Sequence, residues 1–347
     1  MSNMDYFIKN NGLKLPVSLD RFLFPLLSPT TKGTNYWDQP PPSKLTDRQI
    51  GRIVLQVHQI LDTLQSLDVD LSNKNFIDIG TGNGMIPRLM LDFSNISQAV
   101  GADPFIDGEH KTSWQPHNHN KTLQRIRKFI DDTGGQALDF SLYKSISKFE
   151  NMSSIPQKII LPKRVPKSYR FAQVGVHEIE QLDDKFDLLY CKAIEHIHDW
   201  KKTFESISKI SKKGSILYFK HRPFFSYLGA HRYASVGIPW GHILLNDDEY
   251  IRFVNQHHKG RSREMTEFFL QGLAYPRYTI SDMLRIAQLN NFIPISVRYD
   301  SPKYINQSSG FINEVDSFWD IVWENYPRVS AEEIMCGMAH IVFKKIN

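Results

Sequence analysis

The strongest pattern of apolar and polar positions lies between residues 75 and 91. Residues 76–79 are apolar except for Asp78, and this pattern predicts a buried strand. Glycines then alternate with other residues at positions 80, 82 and 84, which predicts a tight turn. The apolar residues at 85–91 predict a helix after the turn. A strand, a glycine turn and a helix in this order form half of a βαβ unit.

Apolar periodicity predicts further elements along the chain. Residues 50–67 carry apolar positions at helical spacing, whereas residues 1–45 show no regular pattern and are predicted to be irregular. Further helices are predicted at 123–130, at 200–210, from 279 onward and around Trp319, Trp323 and Tyr326. The helix with the two tryptophans is expected either beside a pocket or at a homodimer contact. Further strands are predicted at 98–102, 171–176, 186–191, 215–220, 291–297 and 337–344. This alternation predicts an α/β domain with a parallel sheet.

The glycine turn also indicates the charge of its ligand. A dinucleotide site would show G-x-G-x-x-G with a pyrophosphate over the helix start, but these glycines are spaced G-x-G-x-G. Asp78 would repel a phosphate and attract a cation. With Asp78 included, residues 78–84 resemble the first motif, D-x-G-x-G-x-G, of the class I S-adenosylmethionine-dependent methyltransferases.

This resemblance implies a Rossmann-like class I methyltransferase fold. That fold has a seven-stranded, mostly parallel sheet with an antiparallel last strand and helices on both faces. The implied cofactor is S-adenosyl-L-methionine, whose amino group or sulfonium would lie near Asp78. The predicted cofactor-binding residues of the turn are Asp78, Gly80, Thr81, Gly82, Asn83 and Gly84.

Residues after the neighbouring strands extend the predicted cofactor site. Asp103 lies 23 positions after Gly80, close to the spacing at which a carboxylate binds both ribose hydroxyls, although it could instead cap a strand end. Ligands lie at the carboxyl ends of parallel strands, which adds Pro104, Lys192 and Ala193. In the resembled family, residues after the third strand flank the adenine, a position that His177 occupies here in place of the usual Asp.

A second motif follows about 110 residues later. Phe186-Asp187, an apolar run and Glu195-His196 resemble the fourth motif of the small-molecule, methyltransferase type 11-like branch. The motifs of enzymes that methylate DNA bases are absent at this position. Neutral imidazole can accept a proton near pH 7, so His196 and His221 are predicted catalytic bases, although His196 could instead order the loop.

An insertion at about 221–275 is dense in His, Arg and aromatic residues. In the resembled family an insertion here builds the substrate pocket, and aromatic walls with few polar groups suit a ring-bearing acceptor such as a sugar or phenol. The predicted substrate-binding residues are Glu195, Arg222, His231, Trp240 and His242. The alternative is that the aromatic residues form the core of the insertion.

Domain limits follow from these motifs. Residues 1–70 are predicted to be an N-terminal extension whose amphipathic helix is a candidate lid, and residues 71–347 the methyltransferase domain. A basic stretch at about 138–170 is predicted to be an inserted loop. The histidine-rich residues 110–119 could bind a metal, but their spacing matches no metal motif, so no metal site is predicted.

Composition narrows the range of functions. The 347-residue chain has a net charge of +5 and no basic block, so nucleic acid is not an expected partner. Two distant cysteines and the lack of a long apolar run predict a cytoplasmic protein without a membrane partner. The expected activity is methyl transfer to a small molecule, with sugar or natural-product O-methylation preferred. Two alternatives stay open: an NAD-dependent oxidoreductase and a non-catalytic partner protein that retains the fold.

Overall fold

The computed structural model describes most of the chain outside two long segments. The described residues are 6–17, 47–82, 84–104, 168–192, 194–227, 229, 238–258, 262–267, 269–270, 277–301 and 305–347. Predictions for residues 105–167, including the histidine-rich loop and most of the basic stretch, lie outside them.

Nine strands lie in the described residues: β1 Tyr6–Ile8, β2 Lys14–Pro16, β3 Asn75–Ile79, β4 Gln98–Asp103, β5 Ser168–Gln173, β6 Phe186–Cys191, β7 Ser211–His221, β8 Phe292–Asp300 and β9 Met338–Lys345. The helices described are α1 Asp47–Ser66, α2 Met85–Phe93, α3 Trp200–Ile210, α4 Gly241–Leu244, α5 Asp247–His257, α6 Ser262–Glu267, α7 Ile280–Leu289, α8 Ile305–Glu314, α9 Phe318–Asn325 and α10 Ala331–Met335. Two 3-10 helices, Val176–Leu182 and Ile194–His196, follow β5 and β6.

Seven strands form one sheet in the order β5-β4-β3-β6-β7-β9-β8. The sheet is mostly parallel with antiparallel last strands and has helices around it, which confirms the predicted fold class. β3 lies between β4 and β6, and both pairs are parallel, with Asp78 opposite Gly101 on one side and Tyr190 on the other. The carboxyl end of β3 therefore opens between two neighbouring strand ends, where α/β sheets bind ligands.

The chain divides into two compact units. One contains residues 36–192, 205–218 and 344–347, and therefore holds β3 to β6 with the glycine turn. In its strand β3, Phe76 and Ile77 are completely buried, and α1 buries Val54, Val57 and Ile60 along one face. Helical spacing of these apolar residues explains why this stretch folds as a helix.

The other unit contains residues 1–35, 193–204 and 219–343. Its core includes a cluster of rings in which Phe204 lies 5.5–6.3 Å, centroid to centroid, from Phe219, Phe292 and Phe343. Helix α7 begins at a capping box in which the Thr279 side chain accepts from Asp282 N and the Asp282 carboxylate accepts from Thr279 N.

Three predicted element boundaries are wrong. The third strand runs over 168–173 instead of 171–176, because residues 176–182 form a 3-10 helix, so residues 168–170 are strand and not inserted loop. β7 begins four residues earlier than predicted, and β8 extends three residues further. Residues within 1–45 are not all irregular, since β1 and β2 form an antiparallel hairpin that pairs Phe7 with Leu15.

Candidate active site

Asp78 is a buried carboxyl group directly before the glycine turn. Its side chain is only 3% exposed, and the Thr81 hydroxyl donates a hydrogen bond of 2.7 Å to its Oδ2. The pKa of Asp78 is raised to about 7. Burial is the main cause and the charge of Asp103 adds to it, while the hydrogen bond from Thr81 and the charge of Lys192 partly oppose the shift. A cation placed beside Asp78 would favour its ionised form.

The turn after β3 uses backbone conformations that favour glycine. Gly80, Gly82 and Gly84 have φ values of 73°, 57° and 69°. A Cβ atom on Gly82 would meet no atom of the described residues within 4 Å, so they leave space above this part of the turn. A Cβ atom on Gly84 would overlap the hydroxyl group of Tyr169, whose ring lies 4.4 Å from the Arg88 guanidinium.

Asp103 connects the turn to the neighbouring strand. It is the last residue of β4 and is 6% exposed, and its Oδ2 accepts a hydrogen bond of 2.8 Å from Gly82 N. The amides of Gly80 and Thr81 also donate to the Ala102 carbonyl, at 2.8 and 3.1 Å. The predicted carboxylates Asp78 and Asp103 thus lie on the two sides of one backbone turn.

Pro104 and His177 lie beyond the ends of β4 and β5. The Pro104 carbonyl accepts from Gln173 Nε2 at 3.4 Å. His177 is half-buried in the 3-10 helix after β5, and its carbonyl accepts from the Ser206 hydroxyl at 3.3 Å. The role of both residues toward a ligand stays a prediction.

The carboxyl end of β6 carries a chain of polar contacts that sequence reasoning did not find. Gln56 Nε2 donates to the hydroxyl of the buried Tyr190 at 2.9 Å, and Lys192 Nζ donates to Gln56 Oε1 at 3.1 Å. These two hydrogen bonds join Gln56 of α1 to the carboxyl end of β6, beside the glycine turn. A lone glutamine between the apolar residues Leu55 and Val57 was the only sequence signal for it.

A second polar pair lies in the other unit. His221, the last residue of β7, is 2% exposed, and its Nδ1 lies 3.9 Å from Glu195 Oε2. Among the described residues, neither ring nitrogen of His221 nor Glu195 Oε2 has a hydrogen-bond partner. Trp200 packs edge-on against the His221 ring at 5.5 Å and donates from Nε1 to the Ile194 carbonyl, which holds the short helix bearing Glu195.

Such a buried, unpaired pair is costly unless something binds to it. Buried polar groups nearly always have partners, because an unsatisfied group costs about 1–3 kcal/mol. A neutral His221 could accept a proton at Nε2 while the Glu195 carboxylate faces Nδ1 and stabilises the positive ring. The pair therefore has the chemistry of a general base with an orienting carboxylate.

The remaining predicted substrate and catalytic residues lie in different surroundings. His196 and Arg222 are half-buried. Trp240 is fully buried, donates to the Ile334 carbonyl and packs 4.9 Å from Tyr227. His242 is fully buried edge-on against Phe224, and burial lowers its pKa to about 3 although the backbone of Phe224 favours protonation. Asn83, Ala193 and His231 lie outside the described residues.

Two further observations concern the described residues as a set. No group of three or more His, Cys, Asp or Glu side chains in them has the arrangement of a metal site. None of the helices in the same ranges is long and apolar enough to cross a bilayer.

Comparisons with known proteins show the family of the chain. The family model for the methyltransferase domain matches residues 55–261, more than half of the chain and inclusive of the glycine turn and the Glu195–His221 pair. No curated protein matches the chain in sequence.

Several solved structures resemble the chain at low sequence identity. The cyclopropane synthase MmaA2 from Mycobacterium tuberculosis is 16% identical, with a TM-score of 0.42 and coverage of 94% of both chains. The mycolic acid cyclopropane synthase CmaA1, described as complexed with SAH and CTAB, is 14% identical with the same TM-score and coverage. An S-adenosylmethionine-dependent methyltransferase from Mesorhizobium loti is 13% identical, with a TM-score of 0.38. The match covers 82% of this chain and 96% of the Mesorhizobium chain. These substrate names apply to those proteins.

Proposed function

The chain belongs to the methyltransferase domain family, and from this premise we propose that it transfers the methyl group of S-adenosylmethionine to a hydroxyl oxygen of a small molecule such as a sugar or a natural product. The observation that supports an oxygen acceptor is the buried ring of His221 beside Glu195 Oε2. Among the described residues, neither ring nitrogen of His221 nor Glu195 Oε2 has a hydrogen-bond partner. Family membership also weighs against the oxidoreductase alternative.

The residues around the glycine turn fit the cofactor. S-adenosylmethionine supplies an electrophilic methyl group on a positively charged sulfur. Asp78 offers a buried carboxyl group whose charge is favoured by a nearby cation. Space above Gly82 lets a ligand approach the backbone, and Asp103 lies where a carboxylate can accept from ribose hydroxyls.

His221 is the proposed proton acceptor. A hydroxyl is a poor nucleophile, so its proton must leave as the new oxygen–carbon bond forms. In the proposed reaction the proton moves to Nε2 of His221, and the electron pair of the breaking carbon–sulfur bond stays on sulfur. Glu195 orients the ring and stabilises its charge through Nδ1–H, as carboxylates do in catalytic triads.

The test measures transfer of labelled methyl groups to a panel of hydroxylated, amine-bearing and thiol-bearing small molecules. We expect label on a hydroxyl oxygen, and replacement of the base with His221→Gln should lower kcat by about 10²–10⁴-fold. Affinity for S-adenosylhomocysteine should stay unchanged, because His221 does not belong to the turn.

His340→Gln is the matched control. His340 is also buried in the same unit, but its Nε2 already pairs with Asp300 at 2.9 Å, so this variant should keep the rate. Label that appears only on nitrogen or sulfur would contradict the oxygen acceptor. Label that never leaves the cofactor across the panel would favour a non-catalytic partner protein.

A further inference from the structure

Two opposite charges flank the glycine turn. Asp78 lies opposite Tyr190, and Ile79 opposite Cys191, in the parallel pairing of β3 with β6. Lys192 is the first residue after β6, and Gly80, the first residue of the turn, is the first residue after β3. Its charge acts on the Asp78 carboxyl. A ligand that carries an ammonium and a carboxylate on one carbon matches such a pair of charges.

Lys192 is held in place from the helix side. Gln56 Oε1 accepts one hydrogen bond from Lys192 Nζ, while its Nε2 donates to Tyr190. Because the ammonium of Lys192 can only donate, it requires the oxygen of the Gln56 amide on its side, and the amide nitrogen then donates to the hydroxyl of the buried Tyr190.

We propose that Lys192, positioned by Gln56, binds the α-carboxylate of the amino-acid part of the cofactor, while Asp78 faces its ammonium. This inference depends on the proposed cofactor binding. It assigns Lys192 a specificity role, since the nucleoside part of the ligand is common to many metabolites and only the amino-acid part carries both charges. Gln56 acts through Lys192 and is a positioning residue.

The alternative is that Lys192 serves only as a countercharge for Asp78. Removal of Lys192 would then weaken recognition of the ligand ammonium, and it would do so equally for ligands with and without a carboxylate. A pair of probes that differ only in the carboxylate separates the two roles. S-adenosylhomocysteine and its decarboxylated analogue, 5′-deoxy-5′-(3-aminopropylthio)adenosine, form such a pair.

The experiment is calorimetric titration of both probes into the wild-type protein and Lys192→Met. We expect the variant to bind S-adenosylhomocysteine about tenfold more weakly, as for loss of a charged hydrogen bond, and to bind the analogue within about twofold of the wild type. Gln56→Leu should reduce affinity in the same selective way by a smaller factor, because it leaves the ammonium in place but unpositioned.

Lys185→Met is the matched control. It removes the same charge at the opposite end of β6, where Lys185 Nζ donates to the Lys209 carbonyl, and should change neither affinity. Equal weakening of both probes in Lys192→Met would overturn the carboxylate assignment and leave cofactor binding intact. Failure of the wild-type protein to bind either probe would overturn the inference together with the proposed function. Thermal unfolding of each variant confirms that it is folded.

Discussion

Asp78 is an acidic residue whose charge depends on its partner. Burial raises the pKa of its carboxyl to about 7, so near neutral pH an appreciable fraction of the free protein carries a proton there. A ligand ammonium favours the ionised form and lowers this pKa on binding. We therefore expect binding of the cofactor to be coupled to proton release from this buried carboxyl group.

This coupling predicts a pH dependence with a definite sign. Below pH 7 the carboxyl is protonated in the free protein, so affinity for S-adenosylhomocysteine should fall as pH decreases, approaching about tenfold per unit. Above pH 7 the proton is already lost and affinity should level off. Calorimetry at pH 6, 7 and 8 measures this trend.

Two variants serve as controls for the pH trend. Asp78→Asn should bind more weakly and show a flat profile over the same range, whereas Asp68→Asn, at an exposed position, should keep the wild-type profile. An affinity that is independent of pH in the wild-type protein would contradict the role given to Asp78.

At the scale of elements, the turn between β3 and α2 packs against β5. Gly82 and Gly84 both have positive φ, which costs about 1–2 kcal/mol for a residue with a Cβ atom. Among the described residues, Gly84 faces an obstacle, the Tyr169 hydroxyl of β5, whereas Gly82 faces none within 4 Å. The two glycines are thus required for different reasons.

Alanine variants separate these reasons. Gly84→Ala should lower the free energy of unfolding by more than Gly82→Ala, by roughly a further 1–3 kcal/mol for overpacking. In a Tyr169→Phe background, which removes the hydroxyl, the difference between the two variants should shrink. Urea unfolding of the six proteins measures the coupling. If Gly82→Ala and Gly84→Ala lowered the free energy of unfolding equally in the wild-type background, the predicted overlap with the Tyr169 hydroxyl would be contradicted.

The elements with strong periodicity were predictable from sequence. The strand at β3, the glycine turn, α2 and the strand at β6 were placed within a residue or two, because each combines a long apolar pattern with a clear end signal. The hairpin of β1 and β2 was missed, since strands of three residues are too short to show a period. β5 was misplaced because its exposed Ser168 and Arg170 look like loop residues in sequence.

The candidate site was only partly predictable from the sequence, and the reason is physical. Asp78 and Asp103 belong to local patterns around the turn, so residue type and spacing were enough to predict them as site residues. The contact of Gln56 with Tyr190 spans 134 positions and depends on how α1 packs, and a single sequence carries no such information. Glu195 and His221 were predicted separately, as a substrate-binding residue and a catalytic base, and their proximity and their lack of hydrogen-bond partners among the described residues emerged only from the fold.

At the scale of the whole molecule, a methyltransferase fold carries two polar clusters with different proposed roles. The turn of β3, the end of β4 and the end of β6 supply the residues proposed to bind the cofactor. The pair at Glu195 and His221 supplies the proposed base. Substitutions in the proposed cofactor cluster should abolish binding of S-adenosylmethionine. Substitution of the proposed base, His221, should abolish turnover and leave cofactor binding unchanged.

The most direct test is a calorimetric comparison of S-adenosylhomocysteine and NADH, titrated separately into the wild-type protein and into Asp103→Ala. We expect the wild-type protein to bind S-adenosylhomocysteine and not NADH. We also expect Asp103→Ala to weaken binding of S-adenosylhomocysteine by about 1–3 kcal/mol, the cost of leaving ribose hydroxyls unpaired. Tight binding of NADH with no heat from S-adenosylhomocysteine would contradict a cofactor site for S-adenosylmethionine at this turn.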